Sequence, residues 1–180
     1  MKTKNRIRDL CYIALMAALL AVCAWITIPL PMVAFTLQTM GIFLALALLG
    51  GARGTAAVLV YILLGAVGVP VFSGFRGGLG ALFGTTGGYI FGFAATALCY
   101  WLITKLFGEK LPVQILAMVL GLALCYAIGT AWFLHIYIRD KGAMTLSAAL
   151  AGCVYPFILP DLCKMALALF LGRRLKPILG

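Results

Sequence analysis

The chain has 180 residues, 65% of them hydrophobic and only 10% charged, with a formal net charge of +10. Soluble domains are roughly half apolar and a quarter charged, so a mean hydropathy of +1.16 excludes a cytoplasmic catalytic module and requires much of the surface to face lipid. At about 20 residues per helical span, the chain has room for roughly five to seven spans and no separate soluble domain.

Lys2, Lys4, Arg6 and Arg8 precede the first apolar run, 10–29. That run is long for a signal-peptide core, and Val22 stands where a lipoprotein signal needs a small residue before Cys23, so the run reads as a first transmembrane helix. Within it, Ala14 with Ala18 and Ala17 with Ala21 form two small-residue pairs on adjacent faces. One pair suits packing inside the protein while the other faces a partner. Further apolar runs bounded by Gly, Pro and charge predict spans at 36–49, 55–67, 81–104, 113–138 and 144–171. The second and third are short for a bilayer of about 30 Å. The predicted fold is therefore all-α: one polytopic membrane domain over 1–180, with six transmembrane helices.

Six spans place both termini on one side. That side collects Lys2, Lys4, Arg6, Arg8, Arg53, Lys105, Lys110, Arg173, Arg174 and Lys176, ten of the fourteen Lys and Arg, against Arg76, Arg139 and Lys141 opposite. The bias predicts cytoplasmic termini in a multi-pass cell-membrane protein. Topology accounts for the basic excess, and no nucleic-acid partner is expected. Gly80, Gly84, Gly88 and Gly92 recur every fourth residue around the start of the fourth span, a stripe along which another helix can approach closely.

Asp161 and Lys164 lie deep in the sixth apolar run, in Leu159-Pro160-Asp161-Leu162-Cys163-Lys164. Each such group costs about 2.5–3.5 kcal/mol near a helix centre even on insertion scales, so the two are expected to pair, to line a cavity, or both. Spacing of i, i+3 puts them on one helix face. Pro160 suits a first helical turn, which predicts a break near Tyr155-Pro156, a restart at Pro160 and Asp161 close to the positive helix end. A second concentration is the glycine-rich segment 69–88, with Phe72, Phe75, Arg76 and then Tyr89. That mixture suits an outer-face loop lid or pocket wall; the alternative is an interfacial loop whose Arg76 meets lipid headgroups. Gln38, on the same side, is a pocket residue or an interhelical tie.

The six cysteines lie singly in apolar stretches without CxxC spacing and read as apolar fillers. No HExxH, GxSxG or nucleotide-binding loop occurs, so neither enzyme activity, a metal nor a cofactor is expected. Uphill movement of a solute would then draw on a separate ATPase or on an ion gradient, and a single interior carboxylate is thin equipment for ion coupling, which favours a partner ATPase.

Several segments together resemble the BioY family, the biotin-specific substrate-binding (S) components of energy-coupling factor (ECF) transporters, over nearly the whole chain. They are Phe35-Thr36-Leu37-Gln38-Thr39, Gly51-Ala52-Arg53-Gly54, Gly68-Val69-Pro70-Val71-Phe72 with Gly74-Phe75-Arg76-Gly77-Gly78, Gly84-Thr85-Thr86-Gly87-Gly88-Tyr89, and Pro160-Asp161-Leu162-Cys163-Lys164. Thr85 departs from a Pro common in relatives, and Leu159-Pro160-Asp161 from a common Pro-Gly-Asp order. The resemblance implies a six-helix S component that binds biotin near the outer face. It also implies docking on a transmembrane coupling subunit through the Ala14, Ala17, Ala18 and Ala21 region, with two cytoplasmic ATPase subunits driving release.

The expected substrate contacts are Asp161, Lys164, Arg76, Gly77, Gly78, Tyr89, Gln38, Phe72 and Thr86. In this reading Asp161 accepts from the ureido N–H groups, Lys164 donates to the ureido carbonyl and balances the Asp161 charge, Phe72 and Tyr89 cover the bicycle, and Arg76 meets the carboxylate or steers it inward. The alternatives are an S component for another vitamin, a small membrane enzyme using Asp161 and Lys164 as acid and base on a lipid, and a purely structural subunit.

Overall fold

The computed structural model describes residues 2–179, with side chains over 6–177; the side chains of Lys2 and Lys4 lie outside the described residues. Helix α1 (Lys2–Trp25) leads into a two-stranded antiparallel ribbon, β1 (Thr27–Ile28) and β2 (Phe35–Thr36). Then come α2 (Gln38–Ala66), the single turn α3 (Leu79–Leu82), α4 (Gly87–Phe107), α5 (Leu111–Lys141), α6 (Leu146–Cys153) and α7 (Tyr155–Leu179). The ribbon pairs Thr27 with Thr36 and Ile28 with Phe35; β1 takes up residues expected to end the first helical span, 10–29, so that helix stops earlier, at Trp25.

Five segments are long and apolar enough to cross a membrane: Arg6–Trp25, Gln38–Ala66, Gly87–Phe107, Leu111–Lys141 and Leu146–Pro177. The second is a hairpin. Gly50 leaves helical geometry at φ 77°, ψ 176°, and Gln38 Nε2 reaches Tyr61 Oη at 2.7 Å, whereas a straight helix would separate them by about 35 Å at ~1.5 Å per residue. A Cβ on Gly54 would also sit 2.8 Å from the Leu46 Cα. The two halves run antiparallel and correspond to the predicted spans 36–49 and 55–67, so the membrane segments number six.

Ion pairs identify one end of the bundle. Arg53 binds Asp9 at 2.8 Å and Lys176 binds Glu109 at 2.7 Å, which brings together the start of α1, the Gly50 turn, the α4–α5 connection and the end of α7. At the opposite end, the ribbon and loop 67–86 meet. Trp25 Nε1 donates to the Pro70 carbonyl at 2.9 Å and its ring stacks on Phe75 at 5.1 Å. The hydroxyls of Thr27 and Ser73 lie 3.1 Å apart.

Helices α4 and α5 pack backbone to backbone. A Cβ on Gly92 would lie 2.8 Å from Cys125 Sγ, and one on Gly121 would lie 2.8 Å from Thr96 Cγ2. Thr96 Oγ1 donates across the contact to the Gly121 carbonyl at 2.8 Å. The predicted four-glycine stripe is thus shortened. Gly88 and Gly92 face α5, Gly80 faces open space, and Gly84 lies before the helix, where its carbonyl accepts from Trp132 Nε1. The alanine pairs of α1 also separate. Ala17 and Ala21 are buried in the core, while Ala14 and Ala18 are exposed, so only the second pair remains available to a partner.

Candidate functional site

The first half of α2, β2, loop 67–86, α4, α5 and α7 enclose a cavity of about 90 Å³ next to the ribbon. Its floor carries the ionisable pair. Asp161 and Lys164 are 3% and 7% exposed, and Lys164 Nζ lies 2.8 Å from Asp161 Oδ1. The pair is closely supported, as buried charges must be if desolvation is to be offset. Thr39 Oγ1 donates to Asp161 Oδ1 at 2.8 Å, and Tyr126 Oη donates to Asp161 Oδ2 at 2.6 Å. Lys164 also donates to the Thr36 carbonyl at 2.7 Å and to Thr39 Oγ1 at 3.3 Å. Its ammonium stands 3.9 Å above the Phe35 ring, a favourable position for a cation over an aromatic face.

The break in the last apolar run falls at Val154, between α6 and α7, next to the expected Tyr155-Pro156. The restart at Pro160 does not occur. The helix begins at Tyr155 and continues through Pro160, which places Asp161 in the second turn rather than at the positive helix end. Its charge is balanced by Lys164 and by two hydroxyl donors, not by the first-turn amides.

Seven of the nine expected contacts line the cavity: Asp161, Lys164, Arg76, Tyr89, Gln38, Phe72 and Thr86. Gly77 and Gly78 are not in its lining. Gly77 packs on the Val69 carbonyl so tightly that a Cβ would lie 2.4 Å from its oxygen, and Gly78 N–H donates to the Gly65 carbonyl at 2.7 Å, so both hold the loop against the end of α2. Gln38 fills both of its alternative roles. It lines the cavity, donates to Tyr61, and accepts from Thr36 Oγ1 at 3.0 Å.

The remaining walls are mainly apolar and aromatic, with Phe72, Phe93 and Phe157. Phe72 packs edge-on to Tyr61 at 5.6 Å. Tyr89 is held by Thr130 at 3.1 Å and by the Cys153 carbonyl at 3.4 Å. Arg76 lies at the exposed rim, where Phe72 and Arg76 close a tight turn and Arg76 Nε donates to the Ser73 carbonyl at 3.2 Å. The chain's four acidic residues, Asp9, Glu109, Asp140 and Asp161, are each paired with another cation, so among the described residues no carboxylate neutralises Arg76.

Thr39 and Tyr126 escaped sequence reasoning. Thr39 closes the Phe35-Thr36-Leu37-Gln38-Thr39 motif with no expected contact of its own, and Tyr126 belongs to none of the motifs. The available signal for Tyr126 was a lone phenolic hydroxyl in the middle of an apolar span, where an unsatisfied polar group is costly.

This arrangement of a buried ion pair, an aromatic wall and a cationic rim can be set beside known proteins. The sequence model of the BioY family matches residues 1–180. The chain belongs to the BioY family. The biotin transporter BioY of Thermotoga maritima is 39% identical to it over 171 residues, covering 95% of this chain and 97% of that protein. The biotin transporter BioY2 of Lactococcus lactis subsp. cremoris is 32% identical over 172 residues, covering 95% and 91%. A crystal structure of the S-component for biotin from an ECF-type ABC transporter superposes with a TM-score of 0.83 at 26% identity, over 98% of this chain and 95% of that one. The BioY-family chain is thus a multi-pass membrane protein with the S-component fold, and the pair on α7 faces that fold's interior cavity.

Proposed function

We propose that this chain is the biotin-capturing S component of an ECF-type transporter. The observation that carries the reading is the buried Asp161–Lys164 pair, held by Thr39 and Tyr126 at the floor of a mostly apolar cavity. Biotin combines a ureido ring with two N–H donors and one carbonyl, an apolar thioether bicycle and a carboxylate tail. Asp161 Oδ2 accepts a ureido N–H, the aromatic walls cover the bicycle, and Arg76 at the rim meets the carboxylate as a charge-assisted pair. The Lys164 protons are directed at Asp161, Thr36 and Thr39, so a ligand carbonyl at Lys164 takes over one of those bonds.

Both termini face the cytoplasm in this reading, because the basic residues gather at the end opposite the cavity. The cavity then opens outward, under the ribbon and loop 67–86. The exposed Ala14/Ala18 face of α1 meets a transmembrane coupling subunit, small side chains permitting close helix approach, and two cytoplasmic ATPase subunits supply the energy. The protein itself captures substrate and performs no chemistry.

Titration calorimetry on detergent-purified protein with biotin, desthiobiotin and unrelated vitamins tests the reading. The expected result is stoichiometric binding of biotin, with unrelated vitamins silent. Tight binding of another vitamin, or turnover of added lipid without biotin binding, overturns it.

A further inference from the structure

An ionised carboxylate offers about four acceptor positions, two on each oxygen. On Asp161 Oδ1, both are taken, by Thr39 Oγ1 and Lys164 Nζ at 2.8 Å each. On Oδ2 one is taken by Tyr126 at 2.6 Å. One position therefore remains, on the oxygen held by Tyr126, and both Tyr126 and Asp161 border the cavity. The Thr39 hydroxyl is equally committed, donating to Asp161 and accepting from Lys164.

We propose that Tyr126 is a specificity-determining positioning residue: by occupying Oδ2 it leaves Asp161 one open acceptor, matched to a single N–H of a neutral cyclic urea and unsuited to two adjacent N–H donors of a cation. This rests on the biotin reading above. The Tyr126 bond aims the remaining lone pair and spreads the carboxylate charge onto a phenol, which lowers the attraction of Asp161 for a cationic ligand. Lys164, 2.8 Å from Oδ1, works in the same direction by Coulomb repulsion. Removing the phenol hydroxyl opens a second position on Oδ2, so that an amidine or guanidine analogue gains exactly where the urea loses its alignment.

The test compares biotin with 2-iminobiotin, whose ureido carbonyl is replaced by a protonatable imine, in wild type and in Tyr126→Phe. The expected result is a roughly ten- to hundredfold loss of biotin affinity, the range for a hydrogen bond to a charged group, with a smaller loss or a gain for 2-iminobiotin. The selectivity ratio is the readout that a merely structural role would not move. Equal losses for both ligands, or biotin affinity unchanged, overturn the proposal. If Tyr126→Phe does not fold, Thr39→Val opens a position on Oδ1 instead and is expected to shift the same ratio in the same direction, with Thr39→Ser retaining the wild-type ratio; an unshifted ratio in Thr39→Val overturns the proposal. Failure of the underlying biotin reading is separable, because the wild-type protein then binds neither ligand.

Discussion

Gln38 and Tyr61 are 23 positions apart in one helical stretch, yet the Gln38 amide donates to the Tyr61 hydroxyl at 2.7 Å. The bond ties the two antiparallel halves of α2 together beside the cavity, and the Tyr61 hydroxyl in turn donates a hydrogen bond to the Val71 carbonyl at 3.1 Å. Tyr61→Phe leaves both the amide and the carbonyl short of a partner in a buried setting. It is expected to cost about 1–3 kcal/mol, read as a lowered unfolding midpoint in detergent.

The turn that makes the hairpin depends on Gly50. Its φ of 77° is unfavourable for residues with a Cβ, and such an atom would lie 2.9 Å from Glu109 Oε1, the carboxylate that pairs with Lys176. Gly50→Ala should destabilise the protein by about 1–3 kcal/mol. Gly80→Ala, where a Cβ meets open space, should leave the midpoint nearly unchanged, and equal effects of the two would contradict the assignment of strain to Gly50.

Asp161→Asn leaves Lys164 as an uncompensated buried cation, at a cost of about 3–5 kcal/mol divided between stability and binding. Biotin affinity should fall by orders of magnitude while the protein still inserts. Combining it with Lys164→Gln removes the stranded charge, so the double variant should regain thermal stability without regaining binding. Nanomolar binding by Asp161→Asn would remove Asp161 from the site.

Arg76 lacks a carboxylate partner among the described residues, so its proposed acceptor is the ligand's tail. Arg76→Ala is expected to weaken biotin by roughly tenfold or more, as for loss of a charge-assisted bond. Biotin methyl ester, which lacks the negative charge, should bind wild type and variant alike. A parallel loss for acid and ester would place Arg76 in loop stability instead.

On α1 the two alanine pairs should respond differently to bulk. Ala14→Leu and Ala18→Leu, on the exposed face, should spare stability and biotin binding while abolishing co-purification with the coupling subunit. Ala17→Leu, at a position 2% exposed, should cost about 1–3 kcal/mol through overpacking. Unimpaired assembly of Ala14→Leu and Ala18→Leu would exclude that face as the docking surface.

The six membrane segments, the concentration of basic residues toward one end and the buried charges Asp161 and Lys164 are legible along the chain. A bilayer acts on each segment locally: apolar runs must be long enough to span it, and a charge within one must find a partner. The pairing of Asp161 with Lys164 needed no tertiary information, because a three-residue spacing on a helix brings them together. The resemblance to the BioY family rested on similar short runs and led to the same pair.

What local pattern left open was which distant atoms meet. Thr39 reaches Asp161 across 122 positions and Tyr126 across 35, and no spacing rule links a hydroxyl in one span with a carboxylate in another. The continuation of α7 through Pro160 is likewise decided by the whole structure: packing along the helix outweighs one missing amide donor, and Asp161 stands in the second turn of α7 rather than at a helix end. The same holds for α1, where both alanine pairs are equally small and equally apolar. Only the placement of α2 against one face determined that Ala17 and Ala21 are buried and that Ala14 and Ala18 remain free, because burial belongs to the assembled helices and not to either residue alone.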